Sequence, residues 1–159
     1  MQTKEAPRPT KDIQAAGGGQ EGAGRPIRKA YLKLPPIIRR VAIVGSQNYP
    51  SMMKVVEFVE RLPLNITVVS GGAFGVDTLA VQTAKRMRIN TKEHLAEWNK
   101  YGKRAGYRRN RFIIIDADVV VAFWDGVSKG TKNSIKLTKD HNKALYVYGP
   151  DGKLLFKDI

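Results

Sequence analysis

The chain contains no cysteine. That excludes a disulfide framework, a thiolate metal site and a cysteine nucleophile. Its two histidines, His94 and His141, stand alone with no metal-ligand spacing around them, so no metal site is expected and both read as surface residues. No apolar run approaches the ~20 residues that cross a bilayer, so no membrane partner is expected. The opening MQTKEAPRPTKDIQ lacks the apolar stretch of a signal peptide, which makes the cytoplasm the expected compartment. Acid is scarce as well: 14 Asp and Glu face 28 Lys and Arg among 159 residues, a net charge of +14. An excess of that size suits a polyanionic partner such as nucleic acid, or anionic ligands, without setting specificity.

What is present is enough for one domain with a tail. Apolar residues make up 42% of the chain, which excludes a fully disordered protein. Residues 1–40 hold nine Lys/Arg, three acids, five of the eight prolines and five of the fifteen glycines. Gly17-Gly18-Gly19 and Gly22-Ala23-Gly24 have linker composition, so 1–28 reads as disordered. Tyr31–Ile38 reads as an irregular arm, because Pro35-Pro36 forbids a helix. The division is therefore a flexible basic tail and arm over 1–40 and a domain over 41–159.

From Val41 the pattern alternates. Val41–Val44, Ile66–Val69, Val119–Phe123 and Leu145–Tyr148 are apolar runs of strand length, and a weaker strand is expected near 90–95. Helical stripes occupy Ser51–Leu62, Phe74–Met87, Gly106–Ile115 (ending before Asp116) and Asn133–His141. Strands that are apolar throughout and separated by helices predict a mainly parallel sheet covered on both faces, a single three-layer α/β domain. Pro150-Asp151-Gly152 predicts a turn, and with it a C-terminal hairpin over 144–159.

Ligands of open α/β sheets bind beyond the carboxyl ends of the strands. Three strand ends here carry glycine or small polar residues: Gly45-Ser46, the run Ser70-Gly71-Gly72-Ala73-Phe74-Gly75, and the run from Trp124 to Thr131. The last two lead into helices whose N-termini favour phosphate. Neither GxGxxG nor a P-loop is present, so hydrolysis of ATP or GTP by the P-loop mechanism is not supported.

The blocks VAIVGS, VVSGGAFGVDTLA, WNKYGKRAGYRRNR and DADVVVAFWDGVSKGT, in that order over about residues 40–148, resemble the SLOG superfamily and, within it, the YspA-like branch found in bacteria and phages. The resemblance implies a Rossmann-like fold and a pocket for a nucleotide or a nucleotide-derived ligand, with no certain cofactor. It also implies three functions to weigh. One is a nucleotide sensor, or an enzyme of unknown reaction. A second is a nucleic-acid-binding protein like DprA, gripping phosphates with the tail and the 99–111 segment. The third is a nucleotide N-glycosidase like the LOG enzymes, which would make the chain a nucleotide-processing hydrolase. LOG enzymes carry PGGxGTxxE; here Gly130-Thr131 matches the turn, but Ser134 stands at the glutamate position, and a hydroxyl cannot replace that carboxylate. Relatives in the superfamily often form dimers, so a homo-oligomer is an expected partner state.

The ligand-binding candidates are Gly45, Ser46, Ser70, Gly71, Gly72, Gly75, Asp77, Trp98, Arg109, Asn110, Trp124, Asp125, Gly126, Ser128, Gly130 and Thr131. Glycines allow close approach to the main chain or turns with positive φ. Asp77 in a first helical turn complements the dipole or accepts a ribose hydroxyl. Trp98 and Trp124 offer base stacking or packing. Ser128, Gly130 and Thr131 form a phosphate cradle or a helix cap. The segment 99–111 holds six cations and no acid, with Arg109 expected to point into the pocket and Asn110 to orient ligand or loop. Arg109, Asp77 and Asp125 are the catalytic candidates, with Asp118 a further source of a carboxylate.

Overall fold

The computed structural model describes residues 38–158. The expected disorder over 1–28 and the arm over 31–37 lie outside the described residues. Ile38 packs against the core, and Arg40 opens the first strand.

Six strands form one sheet in the order β3-β2-β1-β4-β5-β6. They are β1 (Arg40–Gly45), β2 (Thr67–Ser70), β3 (Asn90–Glu93), β4 (Val119–Phe123), β5 (Ala144–Tyr148) and β6 (Leu154–Asp158). The first five run parallel, and β6 pairs antiparallel with β5 to complete the C-terminal hairpin. Five helices connect them: α1 (Met52–Glu60), α2 (Val76–Arg86), α3 (Trp98–Tyr101), α4 (Ala105–Asp116) and α5 (Lys129–Asp140), with a 3₁₀ turn over Gly102–Arg104 between α3 and α4.

Successive strand residues point to opposite faces, and both faces are buried. On one face Val41, Ile43, Val68, Val119, Val121 and Phe123 pack with Val55 and Val59 of α1 and Val76, Ala80 and Ala84 of α2. On the other, Ala42, Val44, Val69, Val120, Ala122, Leu145 and Val147 pack with Ile113 and Ile114 of α4 and Ile135 and Leu137 of α5. Continuous apolar runs are thus the signature of a sheet with two covers, as expected for parallel strands.

Two boundaries and one whole element differ from expectation in ways that packing explains. α4 runs through Asp116 rather than ending before it, because the Asp116 side chain binds Arg40 of β1 and Lys92 of β3 and holds the last turn down. α5 starts at Lys129, four residues before Asn133, because Ser128 caps it: the Ser128 hydroxyl accepts the Thr131 N–H at 3.3 Å. α3 had no expectation at all, since Trp98–Tyr101 is too short to show a period. Among the described residues no helix is long and apolar enough to cross a membrane.

Candidate functional site

A cleft of about 300 Å³ opens beyond the carboxyl ends of β1 and β2. Its floor is Val44 and Gly45 at the end of β1, with Asp77 from α2. One wall is Lys103, Gly106, Tyr107, Arg109 and Asn110, and the other is Ser128, Gly130, Thr131 and Ser134 at the start of α5. Gln47, Ala73, Phe74 and Trp98 complete the lining.

Two glycines let the floor assemble. A Cβ at Gly45 would lie 2.6 Å from the Val76 Cβ, so only glycine lets α2 reach the end of β1. Gly75 has φ +89°, and a Cβ there would lie 2.6 Å from the Gln47 Cα. This close docking buries the first turn of α2 and with it Asp77, which is 5% exposed.

Asp77 and Arg109 are linked through the backbone of one residue, Gly71. The Gly71 N–H donates to Asp77 Oδ2 at 3.3 Å, and the Gly71 carbonyl accepts from Arg109 Nη1. Burial pushes the Asp77 carboxyl up to about 6, although Arg109 and the backbone N–H groups of Ala73, Gly71 and Gly45 oppose it. Burial lowers the Arg109 pKa from its usual value, with Asp77 acting against the shift. Asp77 is the one acid lining the cleft among the described residues.

Arg109 Nε donates to Asn110 Oδ1 at 3.2 Å, and Asn110 Nδ2 donates to Asn133 Oδ1 at 3.2 Å. Asn110 therefore fixes the guanidinium and ties α4 to α5. The first N–H groups of a helix have no intrahelical partner. Ser128 takes that of Thr131, which leaves those of Lys129 and Gly130 at the cleft edge for an anion or water. A Cβ at Gly130 would meet nothing within 4 Å, so the approach to the helix end is open.

Half of the residues singled out by sequence meet in the lining: Gly45, Asp77, Trp98, Arg109, Asn110, Ser128, Gly130 and Thr131. The other half surround it and hold it. Ser46 Oγ accepts the Asp125 N–H at 3.1 Å and lies 3.3 Å from Thr131 Oγ1, joining β1 to the loop before α5. Gly71 lies beneath Arg109, and a Cβ there would stand 2.9 Å from that side chain. Gly72, at φ +75°, and Gly126, at φ +90°, serve turns. Ser70 is fully buried. Trp124 Nε1 donates to the Ser128 carbonyl at 3.1 Å and packs on the core, so it stays out of the lining.

The alternative carboxylates are engaged elsewhere. Asp125 Oδ1 accepts the N–H groups of Val127 (2.9 Å) and Ser128 (2.8 Å), which shapes the turn before α5. Burial pushes its carboxyl up, but those N–H groups and the Ser46 hydroxyl outweigh burial and hold it below the usual range. Asp118 Oδ2 accepts the backbone N–H groups of Arg39 and Arg40, each at 2.8 Å. Ser134 lines the cleft and is buried, so no carboxylate stands at that position.

The histidines are not the isolated surface residues expected. His94 is partly buried, with Nε2 2.8 Å from Asp116 Oδ2, and His141 Nδ1 is 2.9 Å from the Leu137 carbonyl. Among the described residues no three His, Asp or Glu side chains converge as a metal site requires.

Sequence reasoning missed two rings. Phe74 is 77% exposed and Tyr107 is 50% exposed, and with Trp98 (58%) they stand at the cleft. Phe74 had a signal in the sequence, an aromatic inside a glycine turn that a core residue has no reason to occupy. Tyr107 had none, because its direction depends on how α4 is rotated.

No protein-family model matches the chain. The Gene 61 protein of Mycobacterium phage D29 is 35% identical over 109 residues, covering 62% of this chain and 87% of that protein. Among solved structures, DNA processing protein A (DprA) from Helicobacter pylori, described for its single-stranded DNA binding mode, superimposes with a TM-score of 0.52. The match covers 78% of each chain at 22% identity. DprA from Streptococcus pneumoniae superimposes with a TM-score of 0.56 at 20% identity, over 70% of this chain and half of that one. These likenesses are of fold alone, a Rossmann-like α/β sheet.

Proposed function

The chain belongs to the family of the Gene 61 protein of Mycobacterium phage D29, and from that premise we propose that it binds single-stranded nucleic acid, seating a backbone phosphate in the cleft and stacking bases at its mouth. One observation carries this reading. Three exposed rings, Phe74, Trp98 and Tyr107, share a cleft with Arg109, Lys103 and the open N-terminus of α5. Aromatic faces beside a cationic groove are the parts from which sequence-tolerant single-strand binding is built, each stacked base contributing about 1–3 kcal/mol. The fold shared with DprA, whose H. pylori form is described for its single-stranded DNA binding mode, supports the same reading. Placement in the YspA-like branch is part of this proposal and rests on the four sequence blocks.

A second reading, a free nucleotide or nucleotide derivative as the ligand, is favoured by the buried Asp77–Arg109 arrangement, which suits a small ligand with both hydroxyls and phosphate. Titrating a labelled oligothymidine while following anisotropy separates the two. The expected result is saturable binding that weakens by about 10- to 100-fold in Trp98→Ala, the equivalent of losing one stacked base. Absence of oligonucleotide binding at low salt, with nucleoside monophosphates or ADP-ribose raising the melting temperature, would replace the first reading with the second.

A further inference from the structure

The two covers of the sheet differ in charge. Residues 46–97, which supply α1 and α2, hold six Lys/Arg and five acids, whereas residues 98–143, which supply α4 and α5, hold eleven Lys/Arg and four acids. Three of those four acids are already engaged: Asp116 with Arg40 and Lys92, Asp118 with backbone N–H groups, and Asp125 in its turn. The fourth, Asp140, pairs with Lys136 at 2.8 Å.

The cations are also aligned. The outward stripe of α4 and the turn before it carry Arg104, Arg108 and Arg111, and that of α5 carries Lys129, Lys132, Lys136 and Lys139, all exposed. Each helix of 12 residues is about 18 Å long, and packed helices lie about 8–10 Å apart. Two cationic rows therefore lie side by side. Arg104, Arg111, Lys129 and Lys132 have no acidic partner among the described residues, so the rows are not neutralised from within.

We propose that the outer face of α4 and α5 is a second nucleic-acid surface, one that takes the phosphate backbone of a duplex without reading its sequence. It goes beyond the cleft and does not depend on it. The α5 sequence, KGTKNSIKLTKD, contains no aromatic residue, and on α4 the exposed Phe112 ring is already faced by the Arg108 guanidinium, 5.3 Å from its centroid. A row of lysines without rings cannot stack bases, so it has no grip on a single strand except its phosphates. Two parallel rows at helix spacing instead meet phosphates on both sides of a duplex groove, which is about 6 or 12 Å wide. Such contacts position a duplex and carry no base information.

The test uses the full chain and the double variant Arg111→Glu/Lys132→Glu, with folding checked by its melting curve. The probes are a 20-base-pair DNA duplex, a single strand of the same length, and vesicles rich in phosphatidylserine. The expected result is that duplex affinity falls at least tenfold in the variant, and that its log–log salt slope becomes shallower by about 2, one unit for each phosphate no longer gripped. Single-strand affinity should fall by less than duplex affinity, because both substitutions lower the net charge but leave the rings and Arg109 of the cleft in place. The residues before Ile38 are identical in both proteins, so their contribution cancels. Equal weakening on both nucleic acids, no duplex binding by the wild type, or tighter binding to the vesicles than to the duplex would overturn the proposal. Weaker single-strand binding in Trp98→Ala with duplex affinity unchanged would support two separate surfaces.

Discussion

Asp77 is a residue held at a cost. A carboxyl moved from its ordinary value near 3.8 up to about 6 by burial prefers to be protonated in the folded state. The unfolded chain gives up that proton near pH 4, so between pH 4 and 6 the folded state binds more protons and stability falls as pH rises. Above pH 6 the full penalty is present, on the order of 3 kcal/mol. Asp77→Asn keeps an oxygen for the Gly71 and Ala73 N–H groups and removes the charge. It should raise the melting temperature at pH 7.5 by several degrees more than at pH 4.5. A gain equal at both pH values would mean that the burial does not govern this carboxyl. Retaining a costly acid where a neutral one would fold better supports the proposed role of Asp77 in the cleft. A phosphate drawn to Arg109 should also bind more tightly as Asp77 becomes neutral below pH 6.

At the scale of elements, the sequence was most informative where burial dominates. Val119–Phe123 could only be an inner strand, and all five residues are buried. Polar elements were less legible. β3 reads NTKE and is exposed along most of its length, so only its place after α2 suggested a strand. The start of α5 was hidden because Lys129-Gly130-Thr131-Lys132 has no apolar period; what begins the helix is the Ser128 hydroxyl, set by the Asp125 turn. The site was half legible for a related reason. Motif spacing marks the strand ends, but whether a glycine there faces a ligand or makes room for a side chain depends on packing. Gly71 proved to accommodate Arg109, and Trp124 to brace the loop before α5. The same cap yields a prediction. Ser128→Ala should cost about 1 kcal/mol of stability. It should weaken phosphate-dependent binding in the cleft by several-fold, measured by chemical denaturation and by oligonucleotide titration. A drop in stability without any change in binding would show that the α5 N-terminus caps the helix and does not hold the ligand.

Over the whole molecule, the net charge matters less than where it lies. A protein with one basic cover and one balanced cover has an oriented field, and an oriented field guides a polyanion to one side and speeds productive encounter. Net charge alone would act through any surface. Two single variants separate these effects because both change the chain from +14 to +12. Lys132→Glu alters the exposed stripe of α5, and Lys85→Glu alters an exposed position on α2, on the opposite cover. Stopped-flow association with a duplex at low ionic strength should be slowed severalfold by Lys132→Glu and barely by Lys85→Glu. Raising the salt from about 50 to 200 mM, which shortens the screening length from about 14 to 7 Å, should bring the three association rates together. Equal slowing by the two variants would assign the attraction to net charge, and the basic cover would then have no directing role. Slowing by Lys132→Glu alone is the outcome that the placement of eleven cations between residues 98 and 143 leads us to expect.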